Sequence, residues 1–435
     1  MKKMTLCAVL VSLSFNAAAK DITGGVYVAT NNAAENSVVG YQQFSDGTLS
    51  KIGEFKTGGK GTGNVELFGL PYDPASGHTF KDGIDPLASS YGLWRSADNK
   101  NVLVVNAGDG TITSLHVEDD LSLKMVNKIT AGDIKPNSIA SFKNYVYVAS
   151  MGKKVDDPSE GNIKAYTIDD TGRLSAMPNS LRKLSGRPAS IEITPDGKYL
   201  VAVEITTGLI RSYAIGQDGV LSADPVSMIY SPQADKNRFF ALPIGTKMTK
   251  AEGGNTTLLV TETRFIDSSH NFYKSTPEQK KKYPFIHLFQ GQTGSVTSYN
   301  IDDKGKLTMV SPDVLAGSGI WGGQQAVCWV TVSKDGKYAW TTNPLTSSIS
   351  TYSVNKDSSI KLDKELAYQE PGYGEYFLDM DMSADSKYVN VISGNTGKTF
   401  VFKIDEHNGG LTKVAAYPGS DKIHSYGIVT IPYQH

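Results

Sequence analysis

One unit of strand, turn and strand can be read seven times along this chain of 435 residues, and a repeat of that kind restricts the fold more than any other feature. The clearest copy runs Lys198-Tyr199-Leu200-Val201-Ala202-Val203-Glu204 and continues through Ile210-Arg211-Ser212-Tyr213-Ala214-Ile215. It turns at Gln217-Asp218-Gly219 and opens a further strand at Val220-Leu221-Ser222. Its side chains alternate in the strand period, and its turns carry Asp and Gly, which accept turn backbone most easily. The other copies start near Val26, Val102, Tyr145, Leu258, Tyr338 and Tyr388. Their following strands start near Val38, Ile112, Ile163, Val296, Ile349 and Thr399.

Three strands per copy leave each sheet one short, and the fourth lies just upstream. Residues 190–194 precede the turn Pro195-Asp196-Gly197, residues 329–332 precede Lys334-Asp335-Gly336, and residues 378–382 precede Ala384-Asp385-Ser386. The first copy has almost no room for such a strand, whereas residues 426–431, at the other end of the chain, read as one. The pattern predicts an all-β fold, a seven-bladed β-propeller closed by the C-terminal strand joining the first blade, which also protects sheet edges. A β-sandwich, or a pair of them, would also show short strands and regular turns. Neither requires seven matching copies or a C-terminal strand that completes the first.

The spacing is uneven. Insertions at about 58–90 and 265–291 break the rhythm, and loops this long are usually functional or unstructured. The second holds His270, Tyr273, Lys280-Lys281-Lys282 and His287. The lysine run reads as a solvated surface.

The N-terminus reads as a processing signal. Lys2 and Lys3 precede an apolar run and then Ala17-Ala18-Ala19, the layout of a secretory signal peptide. The run is too short to span a bilayer. Residues 1–19 are therefore expected to be removed, leaving a single propeller domain over 20–435 in the periplasm or outside the cell. Removing two lysines moves the formal charge from −1 to about −3. Such a balance offers no basic field for nucleic acid or anionic membrane. Of Cys7 and Cys328, only the second lies beyond the signal. No internal disulfide is then available, and Cys328, beside Trp329, reads as a buried small hydrophobe.

The units around Pro195-Asp196-Gly197-Lys198-Tyr199-Leu200 and Lys334-Asp335-Gly336-Lys337-Tyr338, with GQDGVLS at 216–222 and YNIDDKGKLT at 299–308, resemble the propeller lactonases. That family includes the propeller-type 6-phosphogluconolactonases and the 3-carboxymuconate lactonising enzymes. Tyr27-Val28-Ala29-Thr30-Asn31 is similar to YVTN-type propeller repeats. The resemblance spans the mature chain and implies seven blades, with hydrolysis or formation of a lactone. It also implies a glutamate at the end of the second strand of a middle blade, facing the central pocket, and Glu204 stands there. The family's histidine after a proline at an inner-strand start is missing, since the comparable places read Pro136-Asn137-Ser138 and Pro188-Ala189-Ser190. His270, His287 and His424 are the candidates to replace it from elsewhere.

Lactone hydrolysis needs a base for water and donors for the developing oxyanion. Acidic substrates add a need for arginine. Glu204 and Glu262 are the candidate bases, and Arg264, Arg187 and Arg238 the candidate anion holders. Glu262 sits in the fifth copy about where Glu204 sits in the fourth. Two carboxylates brought close would raise one pKa or, equally, hold a divalent cation; no motif requires a cofactor. There is no Walker loop, HExxH, EF-hand loop or GxSxG. The glycine-rich Trp321-Gly322-Gly323 reads as a blade connector. Two functions remain: a lactonase-like hydrolase or lactonising isomerase acting on a small-molecule acid or lactone, and a non-catalytic binding propeller. The second would hold a small molecule in the same funnel, or a protein partner through the long insertions.

Overall fold

The computed structural model describes residues 20–63, 87–132, 134–152, 161–232, 238–250, 253–266, 292–318, 323–420 and 425–434. Residues 1–19, most of both insertions, His270, His287, His424 and Trp321 lie outside them. Seven antiparallel sheets form the blades of a propeller, each with four strands that follow the sequence from the inside out, except that the last strand of the chain is innermost in blade 1. Blade 3 carries a short fifth strand, Arg182–Lys183, beside its third. The innermost strands are Ile428–Pro432 in blade 1, Leu93–Arg95 in blade 2, Pro136–Phe142 in blade 3 and Pro188–Ile193 in blade 4. Arg238–Lys250, Trp329–Val332 and Phe377–Met382 serve blades 5, 6 and 7. They neighbour one another in that order and close the ring.

The closure read from the sequence is present. Ile428–Pro432 pairs antiparallel with Ile22–Ala29, with Thr430 opposite Val26 and Ile428 opposite Val28. The first and last residues thus share one sheet, so the ring opens only if ladder hydrogen bonds break.

The Tyr and Gly of the repeat have a common physical role. Tyr145, Tyr199, Tyr338 and Tyr388 open the second strands of blades 3, 4, 6 and 7. Each donates its hydroxyl to a backbone carbonyl in the outer turn of the next blade, at Gln217, Asp303, His407 and Ser45 respectively. The glycine of that turn lies beneath the ring. Gly305 has φ +77°, and a Cβ on it would stand 2.4 Å from the Tyr199 ring. Gly305→Ala therefore combines a left-handed backbone penalty with a ring clash. Its expected loss of stability is about 2–4 kcal/mol, read from the denaturation midpoint, and a loss below about 0.5 kcal/mol would refute this account of the turn.

The upper face of the propeller is where inner strands begin and second strands end, as the pairing of Pro188 with Glu204 shows. There the end of the first insertion takes a defined place. Residues 87–92 are buried and run into the centre of the ring. Ser89 Oγ donates to Asn137 O of blade 3 at 2.7 Å, and Ser90 N to Ala189 O of blade 4 at 3.0 Å. Tyr91 OH reaches Thr246 O of blade 5. Trp329 Nε1 of blade 6 donates to Ser89 O at 2.8 Å, and Tyr426 OH, from the strand that closes blade 1, also meets Ser89. Five blades besides its own hold this segment, which fills the upper channel.

Candidate functional site

All seven second strands carry a buried polar residue toward the upper face, or are followed by one there: Thr30, Asn106, Ser150, Glu204, Glu262, Asn343 and Ser393. In blades 2 and 6 its bonds go to the third strand of the same blade. Asn106 Nδ2 donates to Thr111 and Thr113, and Asn343 Nδ2 to Ser348 and Ser350. Glu262 repeats the pattern with inverted polarity, its Oε2 accepting from Ser295 and Thr297 at 3.0 Å each. The two candidate bases thus occupy a position that in blades 2 and 6 ties the second strand to the third. A carboxylate there demands a cation, and each glutamate has its own.

Glu204 Oε1 accepts from Arg211 Nε at 2.5 Å and Oε2 from Thr207 Oγ1 at 2.8 Å. Arg211 comes from the third strand of the same blade, Leu209–Ala214, and its Nη2 continues outward to Ser185 Oγ, which is exposed. Gly186 lies over the carboxylate: a Cβ there would come within 3.0 Å of Glu204 Oε2. Glu204 has no exposure, while the Arg211 side chain keeps 11 %. The guanidinium is therefore the solvent-facing member of the pair.

Glu262 and Arg264 lie two residues apart on the second strand of blade 5, so both point to one side of the sheet, and both are 0 % exposed. Arg264 Nη2 meets Glu262 Oε2 at 2.7 Å, Nε meets Asp313 Oδ1 at 2.8 Å and Ser295 Oγ at 3.0 Å, and Nη1 donates to Pro232 O at 3.1 Å. Burial pushes the Glu262 carboxyl above its usual range, and Arg264 pulls it back.

The structure therefore brings Glu262 and Arg264 together, but as a closed pair. Glu204 and Glu262 share no bonding partner. Arg187 lies half-buried at the start of blade 4, its backbone N–H donating to Thr206 Oγ1 at 2.9 Å. Arg238 opens the inner strand of blade 5 opposite Ile266, and its side chain lies outside the described residues. Cys328 is buried, with its Sγ 3.4 Å from Thr263 Oγ1. Sequence reasoning missed Arg211 and Asp313. Arg211 had a visible signal, a lone cation between Ile210 and Ser212 in a strand of otherwise apolar and small residues.

A second group of charges was not anticipated. Beneath residues 87–92, inner strands of four blades place Asp379, Asp381, Glu192, Lys247 and Arg95 around Tyr91 and Trp94. Asp381 Oδ2 accepts from Arg95 Nη1 at 3.1 Å and from Thr430 N at 2.9 Å. Lys247 Nζ stands 5.5 Å from the Tyr91 ring centre and 5.3 Å from that of Trp94, and the two rings meet edge to face at 4.7 Å. Asp379, only 4 % exposed, accepts from Met380 N through Oδ1. Its Oδ2 meets no donor at hydrogen-bond geometry among the described residues, and the Tyr91 N–H acts on it only from further off. Burial, reinforced by the Asp381 charge, lifts this carboxyl from an ordinary 3.8 to about 7. Glu192 is raised as well, by burial, with Lys247 opposing. Among the described residues no group of three or more His, Cys, Asp or Glu side chains is arranged to hold a metal ion, and no helix is long and apolar enough to cross a membrane.

Residues 270–424 match the family model described as Lactonase, 7-bladed beta-propeller. A 6-phosphogluconolactonase of Serratia proteamaculans is 22% identical over 325 residues, covering 69% of this chain and 90% of that protein. Among solved structures, the periplasmic gluconolactonase of Pseudomonas aeruginosa superposes with a TM-score of 0.61 at 15% identity, covering 94% of this chain and 99% of that one. A Lactobacillus plantarum protein superposes with a TM-score of 0.62 at 13% identity, covering 94% and 99%. At such identities the structural likeness speaks for the fold. With the family match over residues 270–424 and the repeat, it shows what the chain is similar to: the seven-bladed β-propeller lactonases.

Proposed function

We propose that this chain is a periplasmic or secreted lactonase that opens the lactone of a sugar acid or aromatic-derived acid, with Glu204 as base and Arg211 as the group that draws the substrate to it. The observation that carries this reading is the geometry of their pair. A carboxylate without exposure is held by an arginine that reaches outward to the rim at Ser185. A substrate carboxylate or lactone carbonyl at the rim competes for the guanidinium. As Arg211 turns to it, Glu204 loses its main partner and can accept a proton from an attacking water. The guanidinium meanwhile stabilises the oxyanion formed at the lactone carbonyl. Collapse of that intermediate breaks the ring ester bond, and the departing alkoxide takes up a proton. Arg187 and Arg238 are the further candidates for holding the acid.

The match to the lactonase family model over residues 270–424 supports the reaction class. The signal-like residues 1–19 support export, and with it an unphosphorylated substrate, since sugar phosphates are metabolised in the cytoplasm. Purified mature chain tested against a panel of sugar-acid and aromatic-acid lactones is expected to hydrolyse at least one. Glu204→Gln should lower kcat by about 10²–10⁴-fold, and Arg211→Met should raise KM as well. Full activity in Glu204→Gln would remove the role given to that residue.

A binding propeller is the second reading, favoured by the enclosure of Arg264, whose guanidinium is already taken up by Glu262, Asp313 and Ser295. Calorimetric binding of the same acids, without turnover of any lactone, would select it.

A further inference from the structure

We propose that residues 87–92 form a releasable latch on the central channel, and that the charge on Asp379 sets how firmly it holds. The inference stands apart from the lactonase reading.

The latch is well placed to act as one. It lies at the centre of the upper face, the face that carries Glu204 and Glu262, and a ligand entering the channel from that side meets it first. Its grip is a handful of hydrogen bonds to five other blades, without the regular ladder that fastens a strand. It is also strained. Ala88 has φ +45° and Tyr91 φ +66°, and a non-glycine residue in that region, above all an aromatic one, is held there only by its surroundings.

Tyr91 is the link to the charges below. Its side chain passes down the channel to Thr246 O, with Glu192, Asp379 and Asp381 all acting on it. Charged groups reach Asp379 and its surroundings from several of the packed elements. Asp381 stands on its own strand, Lys247 approaches from blade 5, and the Tyr91 N–H belongs to the latch. Glu192 of blade 4 faces Lys247 and Tyr91, and Arg95 of blade 2 is taken up by Asp381.

A protonated Asp379 is tolerated in this dry, crowded place. Once ionised, it sets a second negative charge beside Asp381, with one oxygen lacking a donor at bonding distance. Water would relieve that charge, and the latch is the element in the way, so lifting Tyr91 admits it. The carboxyl held near 7 by its surroundings places the change close to neutral pH. The latch should therefore be tight in mild acid and loose in mild alkali.

Hydrogen exchange of the mature chain, read by mass spectrometry on peptides covering 87–95 and on those that contain Ile139, tests this. The amides of Ser90 and Ile139, which donate to Ala189 O and Tyr91 O, report most directly. Between about pH 5 and about pH 8.5, after correction for intrinsic exchange, latch exchange should rise at least about tenfold, with a midpoint close to neutrality. In Asp379→Asn the rise should disappear, while peptides from the outer strands behave as in the wild type. An unchanged latch in the wild type overturns the proposal, as does an equal rise in Asp379→Asn. If that variant does not fold, the wild-type titration decides alone: a midpoint near neutrality supports the latch, and a flat profile or a midpoint in the ordinary carboxylate range overturns it.

Discussion

Arg264→Met should cost about 3–5 kcal/mol of stability, the range seen when one partner of a buried ion pair is removed. The magnitude follows from what is left behind. Glu262 keeps two hydroxyl donors, from Ser295 and Thr297, but loses the guanidinium bonded to it, and Asp313 loses the Nε contact at 2.8 Å. Both carboxylates then lie close together with no guanidinium between them. Glu262, already above its usual range through burial, should respond by taking up a proton. The loss should therefore be smaller in mild acid than at neutral pH. Adding Glu262→Gln should recover much of it, because an amide at this position is what Asn106 and Asn343 provide in blades 2 and 6. Denaturant unfolding of the wild type, the single variant and the double variant measures all three. A single-variant loss under about 1 kcal/mol would mean that the pair is not a structural clasp, and would reopen Arg264 as an anion holder.

Asp379→Asn is expected to change the pH dependence of stability. The sign follows from the direction of the shift. The carboxyl titrates at an ordinary 3.8 in the unfolded chain and at about 7 in the folded one, so the native state holds a proton that the unfolded state has released. Stability linked to this group is complete below about pH 4 and drains away as pH rises toward 7, by on the order of 4 kcal/mol in total. The asparagine variant lacks this linkage. Its stability relative to the wild type should therefore improve steadily from about pH 4 to about pH 7 and then level off. Melting temperatures across that range give the measurement, and parallel curves for the two proteins would show that Asp379 is not the titrating group. Glu192, raised by the same burial, should leave a residual slope in the variant.

The candidate site was only partly legible in the sequence. The repeat placed Glu204 at the end of a second strand, where it lies, and Glu262 at the matching position of blade 5, whose second strand runs on to Ile266. It did not show that each would be enclosed by an arginine of its own blade, because Arg211 stands opposite Ala202 through strand pairing, not sequence proximity. The repeat column itself held the missing clue. Asn106 and Asn343 share the position with the glutamates, and an amide in that place argues for a bond to the next strand before it argues for catalysis.

What the sequence determined by itself was the propeller. Strand alternation and Asp-Gly turns act over a few residues, and seven copies with a C-terminal strand to spare leave one way to close the ring. What only the tertiary structure decided was the content of its centre. Tyr91 meets Thr246 across 155 positions, Trp329 meets Ser89 across 240, and Tyr426 meets Ser89 across 337. No local pattern encodes such contacts. They exist because ring closure gathers the inner strands, and the end of an insertion, into one narrow channel where buried polar groups must find partners.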